Sequence, residues 1–109
     1  MHCIEFENCR NSCEEVVCWF LREYLPEGLF FLTVEEKDLS EEGVDGWCMR
    51  EDDNEFLIQI EEKLEGAEHT KTVLHELYHV FQHLHNIPRC EMCARMSEQH
   101  NLDRFKKTL

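Results

Sequence analysis

Three residues in one short stretch have the types and spacing to hold and use a metal ion: His75, Glu76 and His79, in the run His75-Glu76-Leu77-Tyr78-His79. On a helix, residues four apart lie one turn above each other, so the two imidazoles can share one cation. Glu76 is turned by about 100° from His75 around the axis. It would stand beside the cation without binding it, where a general base for an activated water belongs. Catalytic zinc takes three protein ligands and leaves one position for water, so a third ligand must come from elsewhere. Glu91, His85, His83 and His100 compete for that place. Glu91 follows the break at Asn86-Ile87-Pro88, and a helix–turn–helix would fold it back against the two histidines. Ala94, three residues on, is small enough to let two helices approach. His85 completes His75-x3-His79-x5-His85, a spacing that needs a glycine at position 82 to swing the chain away. Gln82 stands there, so the helix continues and His85 turns off the metal face. His83 lies one turn beyond His79, and three consecutive turns give poor tetrahedral geometry. It suits the lining of a cleft, or donation to an oxyanion, better than ligation. His100 is distant and has no supporting context. Glu91 is the expected third ligand, with His85 the alternative.

The element that must present these groups is a helix over Thr70–His85. Val73, Leu77, Val80 and Leu84 recur at helical spacing, with Leu74 and Phe81 widening the stripe. That stripe falls roughly opposite His75 and His79, so the helix can bury one side and turn its histidines to a cleft. Two surface histidines flanking a glutamate by chance would lack this agreement.

Ahead of it, Cys13–Tyr24 reads as an amphipathic helix with Ser12 as its N-cap, ended by Pro26 and Gly28. Leu29–Val34 reads as a strand, and residues 35–43 as a solvated acidic loop without calcium-ligand spacing. Val44–Arg50 and Glu55–Ile60 read as a hairpin around a polar turn, with a further strand conceivable at Cys3–Glu7. After Pro88, placed in the first turn, a last helix runs from about Arg89 to Lys106. Trp19 and Trp47 read as core aromatics, and Met92 and Met96 as helix packing. The expected fold is α+β: a three-stranded sheet, or four-stranded with Cys3–Glu7, mostly antiparallel. It packs against the metal helix, with one helix before it and one after, in a single domain over residues 1–109.

The chain has 109 residues with 24 acidic and 11 basic side chains, a formal net charge of −13. Such a surplus opposes nonspecific attraction to nucleic acid or to an anionic membrane. No apolar run approaches the length of a membrane span, and the first residues do not have the pattern of a secretory signal. The odd number of cysteines, seven, then reads as mostly reduced thiols in a cytoplasmic setting. Cys90-Glu-Met-Cys93 superficially echoes a zinc deaminase signature, but the His-x-Glu such enzymes need is absent. Cys9, Cys13 and Cys18, with Cys3, could join Cys90 and Cys93 in a structural zinc site. Small buried thiols in a core are the plainer expectation.

The run from His75 to Gln82, followed by Glu91-x-x-Ala94, resembles the gluzincin metallopeptidases. It is most similar to the short ImmA/IrrE-like proteins common in phages and mobile elements, over about residues 44–100. The resemblance departs from the family at Arg95, where Asp or Asn is usual. It implies a zincin-like fold with one Zn²⁺ per chain, held by His75, His79 and Glu91. The implied activity is hydrolysis of a protein or peptide substrate with Glu76 as general base and His83 as a possible oxyanion donor. The implied compartment is the cytoplasm, that of the host if the chain is phage-encoded. A non-catalytic metal-binding interaction module that keeps the fold is the alternative.

Overall fold

The computed structural model describes residues 2–109. Its elements are β1 (His2–Glu7), α1 (Asn11–Tyr24), β2 (Phe30–Lys37), β3 (Gly46–Asp52), β4 (Glu55–Glu61), α2 (Gly66–Leu84) and α3 (Glu91–Lys106). The strands form one sheet in the order β1-β2-β4-β3. The α+β expectation holds, and the strand at the N-terminus is present.

The expectation of a mostly antiparallel sheet is corrected, because the sheet is mixed. β1 runs parallel to β2, and β2 parallel to β4; only β3 and β4 are antiparallel. The cause lies in the connections. α1 carries the chain back across the sheet between β1 and β2, and a crossover of that kind yields a parallel pair. The link 38–45 then takes the chain past the place later filled by β4, so the short turn at Asp53-Asn54 returns β4 between β2 and β3.

β2 alternates buried and open positions, with Phe30, Leu32 and Val34 on the buried side. Phe56, Ile58 and Ile60 of β4 join them, as do Val16, Val17, Phe20 and Leu21 of α1 and Val73, Leu74, Leu77 and Val80 of α2. These are the apolar stripes that the helical and strand periods select. The acidic segment is not wholly solvated: β2 extends to Lys37, and Glu36 occupies the next inward position, buried. Met92 and Met96 are exposed rather than packed, and Trp47 is only half-buried at the β3 edge, where its indole N–H donates to Gln59. Gly46 lies under α2, where a Cβ would come within 2.9 Å of Thr72 Cγ2. Among the described residues, no helix is long and apolar enough to cross a membrane.

The helix boundaries also differ from expectation. α1 starts at Asn11 with Arg10, not Ser12, in the capping position. α2 begins at Gly66, four residues early, and α3 begins at Glu91, where Cys90 caps it by accepting a bond from Cys93 N–H through Sγ. The end of α2 is a Schellman turn. Asn86 has φ +56, its N–H donates to His83 O at 3.0 Å, and Ile87 N–H donates to Gln82 O at 2.8 Å. This turn sends the chain back so that α3 lies along α2, with Ala94 fully buried.

The left-handed conformation at position 86 is tolerated by asparagine and glycine but penalised in other residues by about 1–2 kcal/mol. Asn86→Ala should therefore lower stability by about 1 kcal/mol in urea unfolding, while Asn86→Gly leaves it nearly unchanged. Equal stability of both variants would show that this residue does not fix the turn.

Candidate metal centre

α2 presents His75 and His79 from adjacent turns, and α3 presents Glu91 from its first turn. The ligand atoms of these three residues all lie within 4.8 Å of one another. His75 Nε2 is 3.0 Å from Glu91 Oε2, and His79 Nε2 is 2.9 Å from Glu91 Oε1. The two imidazole planes are nearly perpendicular, at 81°.

The other ring nitrogens fix what these atoms are. Gln82 donates through Nε2 to Cys90 O at 3.2 Å, which makes its Oε1 an acceptor. Oε1 is 2.9 Å from His79 Nδ1, so that nitrogen carries the proton and Nε2 carries the lone pair. His75 Nδ1 lies 2.7 Å from Glu98 Oε1, and a carboxylate can only accept. Its Nε2 is therefore also a lone pair when the ring is neutral. Two imidazole lone pairs and two carboxylate oxygens thus face one small space with no donor among them. His79 Nε2, buried, makes no directed hydrogen bond. A proton or a cation is needed to reconcile these groups, and two nitrogens with a carboxylate are a donor set that suits zinc.

Burial lowers the His79 pKa; Gln82 opposes this, and Arg89 and His75 add to it. The ring is thereby kept in the unprotonated form that ligation requires. Glu91 feels some desolvation, but His75, His79 and Arg89 outweigh it and hold its carboxyl below the ordinary value. Glu76 is buried beside this group, with Oε1 unpartnered. Burial pushes its carboxyl up to about 7, with Glu91 and Glu98 adding to the rise and His75 and Arg89 opposing it.

The other three candidate histidines sort as follows. His85 is exposed, its ring 4.4 Å from that of Phe81, and it stands outside the three-residue group. His83 packs against Phe56 and lines a small cavity with His79, Cys48, Arg50 and Arg89. His100 is exposed on α3. Three contributors escaped the sequence reading. Glu98 could have been found, since it is seven residues beyond Glu91 and so on nearly the same face of α3. Gln82 was read only as a residue that keeps the helix going, whereas it orients His79. Arg89, which donates to Cys48 O at 3.1 Å and lies 3.5 Å from Glu91, gave no signal.

Comparison of the chain with protein-family models, curated proteins and solved structures gives no match.

Because Glu76 ionises at about 7 in the fold and near 4.5 when exposed, the folded state holds its proton over a range where the unfolded chain has released it. Stability of the metal-stripped protein should then fall as pH rises from 4.5 to about 7, by roughly 3 kcal/mol. Thermal unfolding in chelator checks this: Glu76→Gln should melt above the parent protein at pH 8 and lose that advantage at pH 4. A difference that does not change with pH would contradict a buried ionising carboxyl.

Proposed function

We propose that this protein is a zinc-dependent peptidase, with His75, His79 and Glu91 as metal ligands and Glu76 as general base. The observation that carries the proposal is the convergence of the two imidazole Nε2 atoms and the Glu91 carboxylate on one small space. The arrangement of His75-Glu76-x-x-His79 with Glu91-x-x-Ala94 supports placing the chain with the ImmA/IrrE-like gluzincins and their zincin-like fold. Zinc, when bound there, supplies polarisation of the scissile carbonyl and a lowered pKa for its water.

The chain's own groups do the rest. Glu76 takes the proton of the attacking water and delivers it to the leaving amine. Buried beside His75, it is placed to accept that proton and then to release it. Glu98 and Gln82 hold the two imidazoles in the required tautomers. His83, on the cavity beside His79, is the candidate donor to the oxyanion. β3 is the sheet edge beside this cavity, through Cys48 and Arg50, and it offers an extended peptide a strand to pair with. The strong acid surplus favours a protein or peptide substrate over nucleic acid or membrane, and a cytoplasmic setting fits the unpaired thiols.

A second reading, a non-catalytic metal-binding module, is favoured by one contact. Arg89 occupies the Cys48 carbonyl, which a substrate strand pairing at that point would have to take over.

The test is zinc content and peptide hydrolysis for the parent protein, Glu76→Gln, His79→Ala and Glu91→Ala. Glu76→Gln should keep its zinc and lose about 10²–10⁴-fold in hydrolysis, while the two ligand variants lose zinc and activity together. Zinc bound normally with no hydrolysis of an unstructured peptide library would favour the second reading. Glu76→Gln cleaving as well as the parent would sink the mechanism.

A further inference from the structure

Nearer the start of α2 than the centre just described, two cysteines and a glutamate converge, with a histidine against the glutamate. The turn after β1 delivers Cys9, and the first turn of α1 delivers Cys13. β2 delivers Glu36, whose inward position continues the series Phe30, Leu32, Val34. The two sulfurs and a Glu36 oxygen all lie within 4.8 Å of one another. From the first turns of α2 comes His69, with Nε2 3.2 Å from Glu36 Oε1. Glu36 and His69 are each only 2 % exposed, yet Glu36 Oε1 and His69 Nε2 make no directed hydrogen bond to anything in the protein.

A carboxylate at a core position, facing a buried imidazole and two thiols, is not explained by packing. Buried polar atoms without partners cost stability, and such a group is retained where something satisfies it. Part of the compensation is visible. Arg10 N–H donates to Glu36 Oε2 at 2.8 Å, and the Arg10 guanidinium lies 2.7 Å from Oε1 while also binding the Glu62 and Leu64 carbonyls. Arg10 alone would neutralise Glu36. Cys9 Sγ also reaches Val34 O at 3.2 Å and His69 Nε2 reaches Glu36, but neither contact accounts for two thiols converging on one carboxylate.

We propose that Cys9, Cys13 and Glu36 form a second, buried metal site for a divalent cation of the zinc type, with His69 beside the Glu36 carboxylate. Thiolates select such a cation over magnesium or calcium. Two thiolates and one carboxylate carry three negative charges, and a divalent ion with Arg10 carries three positive ones. The filled site is therefore neutral, as a buried site must nearly be. Its three ligands belong to the β1–α1 turn, α1 and β2, and His69 of α2 packs on Glu36, so one ion ties together segments that are remote in sequence. In a chain this short, a metal that staples the core adds stability that a small core cannot supply alone. The role is structural, since Cys13 and Glu36 are buried in the core and the ligands come from separate elements of the fold.

This site does not combine with Cys90 and Cys93, as the sequence had allowed. Cys90 packs on Gln82, about 20 Å along α2 from His69, so no single ion reaches both pairs. The proposal is also independent of the peptidase reading.

The test uses the full chain, reduced and stripped of metal, titrated with cobalt(II) as a spectroscopic probe. A site with two thiolates gives an intense near-ultraviolet sulfur-to-cobalt band that a site of two histidines and a glutamate does not give. The band should appear in the parent protein and persist in His79→Ala and in the double variant Cys90→Ser/Cys93→Ser. It should vanish in Cys9→Ser and in Cys13→Ala, each folded by circular dichroism and each holding one zinc per chain less than the parent. Absence of the band in the folded parent protein, with all thiols titrating as free, would overturn the proposal. So would its loss in Cys90→Ser/Cys93→Ser with retention in Cys9→Ser and Cys13→Ala.

Discussion

Gln82 sits buried between α2 and the chain that leads into α3, and its amide has one orientation that satisfies Cys90 O. That orientation makes the side chain an acceptor, which forces the proton of His79 onto Nδ1 and directs the lone pair of Nε2 at Glu91. The helix hairpin and the centre are thus specified by one amide. Its place depends on the Schellman turn at Asn86, which reverses the chain within the few residues separating Gln82 from Cys90. It depends equally on the sheet, because the buried stripe of α2 against β4 sets which way the histidines point.

The two faces of α2 were legible because their causes are local. A stripe at helical spacing and two histidines one turn apart are written in consecutive residues, and the β3–β4 hairpin is likewise announced by its polar turn. Glu91 was legible through the break at Pro88 and the small residue at Ala94. What escaped was set by contacts distant in sequence. Parallel pairing of β1 with β2 and of β2 with β4 has no local signature, since it follows from where crossovers land. Glu36 reads as a surface residue by type, and only Arg10 and His69, far from it in the chain, make its burial intelligible. The start of α3 was misplaced for a related reason. A proline inside the first turn is a familiar signal, whereas a cysteine accepting a backbone N–H is a weak one.

The chain is acidic overall, yet it spends several acids in its interior rather than on its surface. Glu36, Glu61 and Glu76 are buried, and each sits where backbone or side-chain geometry is being fixed or where a partner is wanting. Glu61 accepts from Leu39 N–H and Lys63 N–H, holding the loop before β3 against the end of β4. The close fit of Gly46 beneath Thr72 brings β3 near α2, so the edge strand and the histidine helix share one wall of the cavity at Cys48. A side chain at position 46 would push that strand off the helix.

α3 has a thin apolar face: its buried residues are Ala94, Asn101, Leu102 and Phe105. Much of what holds its N-terminal half is therefore polar, through Glu91 and Glu98 on His75 and His79. In such a hairpin, occupancy of the gap between helices and attachment of α3 are linked functions. Whatever positive charge enters the gap draws the helix in, and whatever draws the helix in raises affinity for that charge by the same factor. The last helix is a latch whose grip and whose cargo cannot be varied separately.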